Sequence, residues 1–351
     1  MYWVGALAAL SFLIIVHEAG HYFVARWFGM RVERFSIGFG PKIWGRRNKH
    51  GTMFQVAPIL FGGFVEIKGM ALAEEVDPDD KDAYPNKPVW QRFLAIFAGP
   101  ATNYLSAIVL ALALYSCAGM RSYERWYAVD ETSAGFDAHG KLQPGDQIMA
   151  LDGQPLFMRA PDGKVTSLLT EVNKRNGNPV VFTIKREGTT LDIPLTPKLD
   201  KDKDGKPVYR VGIAMREHAE RVNPGFAKVV GAAFTYPIET TKIITTGLWE
   251  VVTGKAELDA GGPVRITQEF KRAFEEGFIR GVELLMALSV YLGLFNLFPL
   301  PALDGGRLVF LGYEMITRRR ANPRIESTVH LVGVLLLIVL MVIITVGDIR
   351  G

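Results

Sequence analysis

Apolar and polar stretches alternate along this chain, and four apolar stretches are long enough to cross a lipid bilayer as helices. A helix that spans the hydrocarbon core needs about 20 mostly apolar residues. The four stretches cover residues 2–28, 93–118, 282–300 and 330–346, and the last contains no charged residue after its opening histidine. The pattern predicts a multi-pass α-helical membrane protein with four transmembrane helices.

The long segment between the second and third apolar stretches has a different pattern. Short runs rich in β-branched residues are separated by Pro-Gly, Asp-Gly and Glu-Gly pairs, which is typical of strands joined by tight turns. These runs predict strands at 147–151, 180–185 and 191–195. The segment 165–174 is predicted to be a helix. We therefore expect a small α+β domain inserted between two membrane spans.

Apolar residues then recur at three- and four-residue steps between 225 and 281, which indicates an amphipathic helical region. Such a region lies on the membrane surface or packs against a folded domain, and the pattern leaves both open. The chain is divided accordingly into segments 1–28, 29–92, 93–118, 119–224, 225–281, 282–304, 305–328 and 329–347.

The distribution of basic residues predicts how the chain is oriented. Seven Lys and Arg residues against one acidic residue lie between Arg26 and His50, and five Arg against two Glu lie in 305–328. Short loops rich in Lys and Arg face the cytoplasm. Four crossings then place 119–224 on the extracytoplasmic side. No basic residue precedes the first apolar stretch and no small-residue cleavage site follows it, so we expect it to be retained.

Composition agrees with a membrane protein and excludes several other classes. Hydrophobic residues make up 49% and charged residues 22% of the 351 residues, and the mean hydropathy is +0.15. The net charge of +4 is modest and its basic residues are not gathered on one stretch, so no nucleic-acid partner is expected. A single cysteine, Cys117, excludes an internal disulfide and a cysteine-based zinc cluster.

The first apolar stretch contains the motif H-E-x-x-H at His17, Glu18 and His21. Residues i and i+4 share one face of a helix, so both imidazoles can hold one metal ion. Zn²⁺ suits such ligands, and Glu18 stands where a general base for a metal-bound water is needed. Ionisable residues inside an apolar span are costly, which favours a functional role over a helix end that only contacts water.

A catalytic zinc site needs a third protein ligand, and Asp304 is the candidate. It follows two prolines that interrupt the third apolar stretch, and irregular backbone at membrane depth is tolerated only where it lines a cavity. An aspartate at this place also caps a helix frequently, and taken alone that interpretation is the better one. Its pairing with an intramembrane H-E-x-x-H motif favours the ligand.

These motifs resemble those of the site-2 proteases, the intramembrane zinc metalloproteases, over nearly the whole chain. The segments that carry the resemblance are His17–His21 and Asn296–Gly305, with Gly38–Pro41 and Phe97–Asn103 similar to the bacterial regulator-of-sigma-E protease branch, and Leu142–Gly153 similar to a PDZ domain. Only one PDZ-like unit fits between the second and third spans. The resemblance implies a single extracytoplasmic PDZ domain in a multi-pass protein of the bacterial inner membrane.

The resemblance also implies roles for particular residues. His17, His21 and Asp304 would bind zinc, Glu18 would activate water, and Asn296 would hold the substrate backbone or the oxyanion. The alternative for Asn296 is a hydrogen bond within its own broken helix, which is equally compatible with the residues alone. The implied substrates are single-span membrane proteins already trimmed by a site-1 protease, such as anti-sigma factors, or remnant signal peptides.

Residues 60–67 resemble the membrane-associated β segment of that family. Apolar residues around Gly62 and Gly63 suit a short hairpin or an edge strand, and an extended substrate could pair with Gly62, Gly63, Phe64 and Val65 by main-chain hydrogen bonds. The alternative is an ordinary hairpin without substrate contact, because proteins usually protect exposed edges.

Three functional hypotheses follow. The first is an intramembrane zinc protease. The second is a non-enzymatic PDZ adaptor or chaperone with a structural metal site, which would need four protein ligands and no neighbouring base. The third, a metal transporter, would need several polar spans, whereas the second and fourth apolar stretches offer almost no ionisable groups. Glu18 favours the protease. The PDZ-like unit would bind a new C-terminus or exclude substrates with bulky outer domains.

Overall fold

The structure, a computed structural model, describes residues 2–71, 76–121, 126–156, 167–201, 205–218, 221–255 and 263–350. It divides into two compact units. The first combines Met1–Cys117 with Gly225–Gly351, and the second is Ala118–Pro224. The first unit contains the long apolar helices, and the second contains most of the strands.

The first unit is built on helices. Their bounds are α1 Tyr2–Trp27, α2 Val89–Ala118, α4 Phe226–Val252, α5 Pro263–Glu275, α6 Phe278–Leu297, α7 Asp304–Thr317 and α8 Pro323–Arg350, with α3 belonging to the second unit. Within the residues that the structure describes, four stretches of helix are long and apolar enough to cross a membrane, namely Ala8–Trp27, Val89–Ala118, Phe278–Leu297 and Pro323–Gly347. The predicted four-span, membrane-embedded architecture is therefore supported at the level of helix length and composition.

A four-stranded sheet follows α1 in the same unit. Its strands are β1 Val32–Phe39, β2 Trp44–Arg47, β3 Met53–Val56 and β4 Ile59–Ile67, in the order β2-β3-β1-β4. Strand β1 pairs in parallel with β3 and antiparallel with β4, so β4 is an edge strand of this sheet. Buried Tyr22, Val32, Phe35 and Ile67 form the core between α1 and the sheet.

Helices α1 and α2 approach closely because each places a glycine against the other helix. A Cβ atom on Gly20 would overlap the backbone of Ala98, and one on Gly99 would overlap the imidazole of His21. The hydroxyl of Thr102 donates to the backbone oxygen of Val16 across the same contact, at 3.0 Å. The sequence therefore permits α2 to lie directly against the helix face that carries the two histidines.

The segment 305–328 does not form the loop that its charge predicted. Residues Asp304–Thr317 form α7, and the run of arginines begins only after it, where Arg318 adopts a left-handed conformation with φ of 57°. The count of charges did not predict this helix, because it ignored the apolar positions. These positions, such as buried Leu311, support a helix that packs one face against the rest of the unit.

The second unit is an α+β fold. Its elements are β5 Met120–Arg121, β6 Trp126–Thr132, β7 Gln147–Leu151, β8 Gln154–Pro155, α3 Leu168–Asn173, β9 Val180–Arg186, β10 Thr189–Leu195, β11 Lys198–Lys201, β12 Pro207–Arg210, β13 Ile213–His218 and β14 Arg221–Val222. The main sheet has the order β10-β9-β7-β6-β13, with β8 paired to β7. Strands β7, β9 and β10 and helix α3 fall where the sequence predicted them, although positions 165 and 166 of the predicted helix lie outside the described residues.

The core of the second unit joins this sheet to α3. Val129, Ile148, Phe182 and Ile184 are fully buried in it, together with Val172 from α3. The buried carboxylate of Asp146 accepts two hydrogen bonds from the Arg186 guanidinium, at 2.7 and 2.6 Å. The unit therefore has its own hydrophobic core and its own buried ion pair, as expected of a separate domain.

Candidate metal centre

Helix α1 places the two histidines of the H-E-x-x-H motif side by side. His17 and His21 are each 7% exposed, and their Nε2 atoms lie 3.3 Å apart. The spacing of four residues puts both rings on one face of α1, as the motif predicts. Burying two imidazoles this closely without a shared partner would be unfavourable, so the arrangement indicates a common ligand.

Asp304 reaches the same point from a break between two helices. Helix α6 ends at Leu297 and α7 begins at Asp304, so the carboxylate stands in the first turn of α7. Gly305 makes this approach possible, because a Cβ atom there would overlap the carbonyl of Phe298. Oδ2 of Asp304 consequently lies 3.1 Å from Nε2 of His17 and 3.2 Å from Nε2 of His21.

The three side chains fit a metal ion. Their ligand atoms all lie within 4.8 Å of one another. Oδ2 of Asp304 is buried and accepts no hydrogen bond, although two imidazoles surround it. Nδ1 of His21 lies 2.9 Å from the carbonyl oxygen of Ala95, which can only accept, so this nitrogen carries the proton and Nε2 keeps its lone pair. Two imidazoles and one carboxylate form the ligand set of a catalytic zinc site with an open position.

Glu18 lies between the metal centre and strand β4. The backbone of Val65 hydrogen-bonds to its carboxylate, and a Cβ atom on Gly63 would lie 3.5 Å from its Cγ. Glu18 keeps partial exposure, unlike the buried histidines on either side of it. The predicted base and the predicted β segment are therefore neighbours in the fold, which their distance in sequence did not reveal.

Gly62, Gly63, Phe64 and Val65 lie on edge strand β4. Opposite them on β1, Ile37, Ser36 and Phe35 pair with Gly63, Phe64 and Val65. The other side of β4 has no partner strand in the part of the chain that the structure describes. Because the backbone of Val65 hydrogen-bonds to Glu18, the side of β4 without a partner strand lies next to the metal centre.

Asn296 stands near the end of α6 but its observed contact is local. Its Nδ2 donates to the carbonyl oxygen of Leu292, one turn earlier in the same helix, at 2.9 Å. This is the helix hydrogen bond that sequence reasoning weighed against a substrate role. The substrate role of Asn296 therefore stays a prediction.

Sequence reasoning assigned no role to Asn103, whose side chain contacts the metal centre. Asn103 is fully buried on α2, and its Nδ2 lies 3.0 Å from Nδ1 of His17. The available signal was a buried amide in an otherwise apolar span, four residues after Gly99. That signal does not identify a partner, because the contact depends on how α1 and α2 pack.

Comparisons with known proteins agree with this geometry. A family described as peptidase family M50 matches residues 5–340 of the chain. Proteins named "putative zinc metalloprotease" are similar over nearly their full length in three bacteria. The identities are 32% in Mesorhizobium japonicum, covering 98% of this chain and 97% of the relative, 33% in Brucella suis, covering 97% and 93%, and 33% in Clostridium perfringens, covering 99% and 98%.

Proposed function

Because the chain belongs to peptidase family M50 and is a zinc metalloprotease, we propose that it hydrolyses peptide bonds within transmembrane segments of single-span proteins. The observation that carries this proposal is the location of the H-E-x-x-H motif within Ala8–Trp27, a stretch long and apolar enough to cross a membrane. Membership of a peptidase family favours the enzyme over the non-enzymatic adaptor. A site at such depth selects substrates that are themselves in the bilayer.

His17, His21 and Asp304 are the residues that hold the zinc ion. When bound, Zn²⁺ acts as a Lewis acid toward the scissile carbonyl and lowers the pKa of a coordinated water. Glu18 is the general base, since its carboxylate lies beside the two histidines and Asp304 and is partly exposed. Its carboxylate takes the proton of the attacking water and passes it to the leaving amine. Val65 orients this carboxylate through its backbone hydrogen bond.

Strand β4 binds the substrate segment in an extended form. A transmembrane helix shields its peptide bonds by its own hydrogen bonds, so cleavage needs local unwinding. Unwinding in lipid leaves N–H and C=O groups unpaired, at a cost of several kcal/mol each. The unpaired side of β4 at Gly62–Val65 satisfies these groups by strand addition beside Glu18. Asn296 contributes a further hydrogen bond to the substrate backbone or the oxyanion.

The second unit acts as a PDZ domain on the extracytoplasmic side of a bacterial inner membrane. Support comes from its separate core and from the basic residues concentrated in the segments that flank α1 and α8. Its place in the chain, between α2 and α4, ties it to the membrane unit at both ends. It excludes substrates with bulky outer domains. Cleavage therefore follows trimming by a site-1 protease, as in regulated intramembrane proteolysis. Anti-sigma factors and remnant signal peptides belong to this class of trimmed, single-span substrates.

The test is cleavage of a single-span protein with a short outer segment in proteoliposomes, with wild type and Glu18→Gln compared. We expect wild type to cut within the span, and Glu18→Gln to retain zinc and lose at least about 100-fold in rate, the contribution of general acid–base catalysis. Metal content is measured on both proteins. After the metal is removed with a chelator, addition of zinc should restore activity to wild type only.

Two results would contradict parts of this proposal. Cuts confined to residues outside the bilayer would refute intramembrane cleavage while leaving the zinc protease intact. Equal activity of Glu18→Gln and wild type would remove Glu18 as the base. Arg272→Gln on α5 serves as the control substitution, since its side chain is exposed and pairs with nearby Glu269 on the surface.

Strand addition is tested by disulfide cross-linking in a Cys117→Ser background that carries Phe64→Cys. Single cysteines are placed at successive positions around the scissile bond of the substrate. Pairing with β4 predicts cross-links at every second position, because side chains alternate along a strand. A repeat of three to four positions would show a helical substrate instead and overturn the proposed role of β4.

A further inference from the structure

Helix α2 contacts the far side of both histidine rings. Along one face of α2, at four-residue spacing, lie Ala95, Gly99 and Asn103. The carbonyl oxygen of Ala95 accepts from Nδ1 of His21 at 2.9 Å. Gly99 lies flat against the same ring, and the amide of Asn103 lies 3.0 Å from Nδ1 of His17. Each imidazole is thus held by α2 at the nitrogen that points away from Asp304.

The amide of Asn103 can meet His17 in two orientations that occupy the same space. With Nδ2 toward His17, the ring nitrogen Nδ1 accepts, so a neutral ring carries its proton on Nε2, toward Asp304. In this orientation Oδ1 of Asn103 is a buried acceptor without a partner. A half turn of the amide brings Oδ1 to Nδ1, and the ring proton then sits on Nδ1.

Only the second orientation suits a metal ligand. An imidazole binds a metal through a lone pair, so Nε2 of His17 must be free of its proton when Nε2 faces Asp304 at 3.1 Å. The contact that His21 makes with Ala95 already has this arrangement. Metal-binding histidines generally donate their other N–H to a fixed oxygen, which sets the tautomer and the ring orientation.

We propose that Asn103 is a positioning residue of the metal centre, whose Oδ1 accepts the Nδ1 proton of His17 and directs the Nε2 lone pair at the metal. It acts through His17 and touches neither substrate nor the reacting atoms. The inference rests on the zinc site used by the proposed function. It does not depend on where the substrate is cut, since metal binding is measured without substrate.

Asn103 is held firmly enough for this task. It is fully buried, and its backbone oxygen lies 2.9 Å from the hydroxyls of both Ser106 and Ser289. These two hydroxyls are 2.6 Å apart. Ser289 belongs to α6, the helix that leads to the break before Asp304. The positioning of His17 is therefore coupled to the helix that leads to the third ligand.

The test compares the zinc dissociation constants of full-length variants in detergent, by competition with a chromogenic chelator. Asn103→Leu removes the acceptor at similar volume, and we expect zinc binding about 10–100-fold weaker, as for other partners of metal-ligating histidines. Asn103→Asp offers only acceptors and should stay within a few-fold of wild type. Tyr104→Phe is the matched control, because it deletes a hydrogen bond to Thr241 from the neighbouring residue.

Zinc binding by Asn103→Leu equal to wild type would overturn the proposal. Weakening by Asn103→Asp as large as that by Asn103→Leu would also overturn it, since the amide would then be needed as a donor. If Asn103→Leu fails to give a monodisperse protein, Asn103→Ala replaces it, because the smaller side chain cannot clash. Loss of substrate cleavage with unchanged zinc affinity would count against the proposal while leaving the zinc protease assignment intact.

Discussion

Gly99 shows how a residue without a side chain can fix the position of a proposed metal ligand. A Cβ atom at this position would overlap the imidazole ring of His21. His21 cannot move away freely, since its Nδ1 is bonded to Ala95 and its Nε2 faces Asp304 at 3.2 Å. An added methyl group must therefore displace the ring from α2 or push the two helices apart.

We expect Gly99→Ala to weaken zinc binding at least about tenfold, in the range seen when the surroundings of a metal ligand are disturbed. The overlap should also cost about 1–3 kcal/mol of stability, as overpacking does in closely packed cores. Chelator competition measures the first effect and thermal unfolding in detergent the second.

Gly312→Ala is the matched control for Gly99→Ala. Gly312 is also helical, on α7, and a Cβ atom there would meet nothing within 4 Å. Alanine is preferred over glycine inside helices by about 1 kcal/mol. Gly312→Ala should therefore keep the zinc affinity and leave stability equal or higher. Equal effects of the two substitutions would show that helix propensity, not the His21 contact, decides the result.

At the scale of single residues, the sequence identified the candidate metal ligands but not the side chains that contact them. The four-residue spacing of His17 and His21 predicts a shared helix face, because that relation is local. Asn103 could not be assigned, since it lies 86 positions after His17 in the sequence and their contact depends on how α1 and α2 pack. The hydrogen bond of Asn296 to its own helix shows the same limit, since the motif did not distinguish this local bond from a bond to substrate.

Strand β4 is the element that connects the sheet to the metal centre, and one ion pair supports it. Arg34 on β1 and Glu66 on β4 are cross-strand partners, and the guanidinium donates two hydrogen bonds to the carboxylate. These bonds hold the pKa of Glu66 below its ordinary value. The pair is partly exposed, so its contribution to stability is at most about 1 kcal/mol.

The pH dependence of this contribution has a definite sign. A carboxyl group whose pKa is lowered by folding stabilises the folded state above its unfolded pKa of about 4.3. The stabilisation is lost as the pH falls through the lowered pKa. Glu66→Gln should therefore speed hydrogen exchange of β4 amides at pH 7 by up to about fivefold, and the difference from wild type should disappear at low pH. A difference that persists below the pKa of Glu66 would mean that shape, not charge, supports β4.

Prediction of the elements succeeded where it followed the apolar pattern and failed where it followed the basic residues. The apolar run at 60–67 predicts a short hairpin or an edge strand, and the structure has one edge strand, β4, over Ile59–Ile67. Strands β1, β2 and β3 were not predicted, because the basic residues of this segment indicated a loop. In the fold, β1 pairs with both β3 and β4, and β3 pairs with β2. Helix α7 was missed because the arginines around it suggested a loop, although its apolar positions, such as buried Leu311, support a helix.

For the whole molecule, hydropathy alone predicted the four apolar helices, because about 20 apolar residues have few alternatives to a spanning helix. The second unit was predicted as an inserted α+β domain from its turn residues. Its sheet order could not be predicted, since the pairing of β6 with β13 joins segments about 80 residues apart. Such contacts depend on the complete core and leave no mark in any short window of sequence.

The insertion of the second unit between α2 and α4 leads to a prediction about substrate size. The second unit has its own hydrophobic core and is joined to the first unit by the chain at both ends. On the proposed extracytoplasmic side, a folded outer domain of a substrate would compete with this unit for space, whereas a short flexible tail would not. We therefore expect one transmembrane segment to be cleaved when it carries a short tail, and far more slowly when it carries a folded domain.

Proteolytic removal of that domain in the same proteoliposomes should restore the rate. Replacing the C-terminal residue of the short tail should leave the rate unchanged. If cleavage instead follows that C-terminal residue and ignores the outer domain, the unit binds newly exposed C-termini, and size exclusion is wrong.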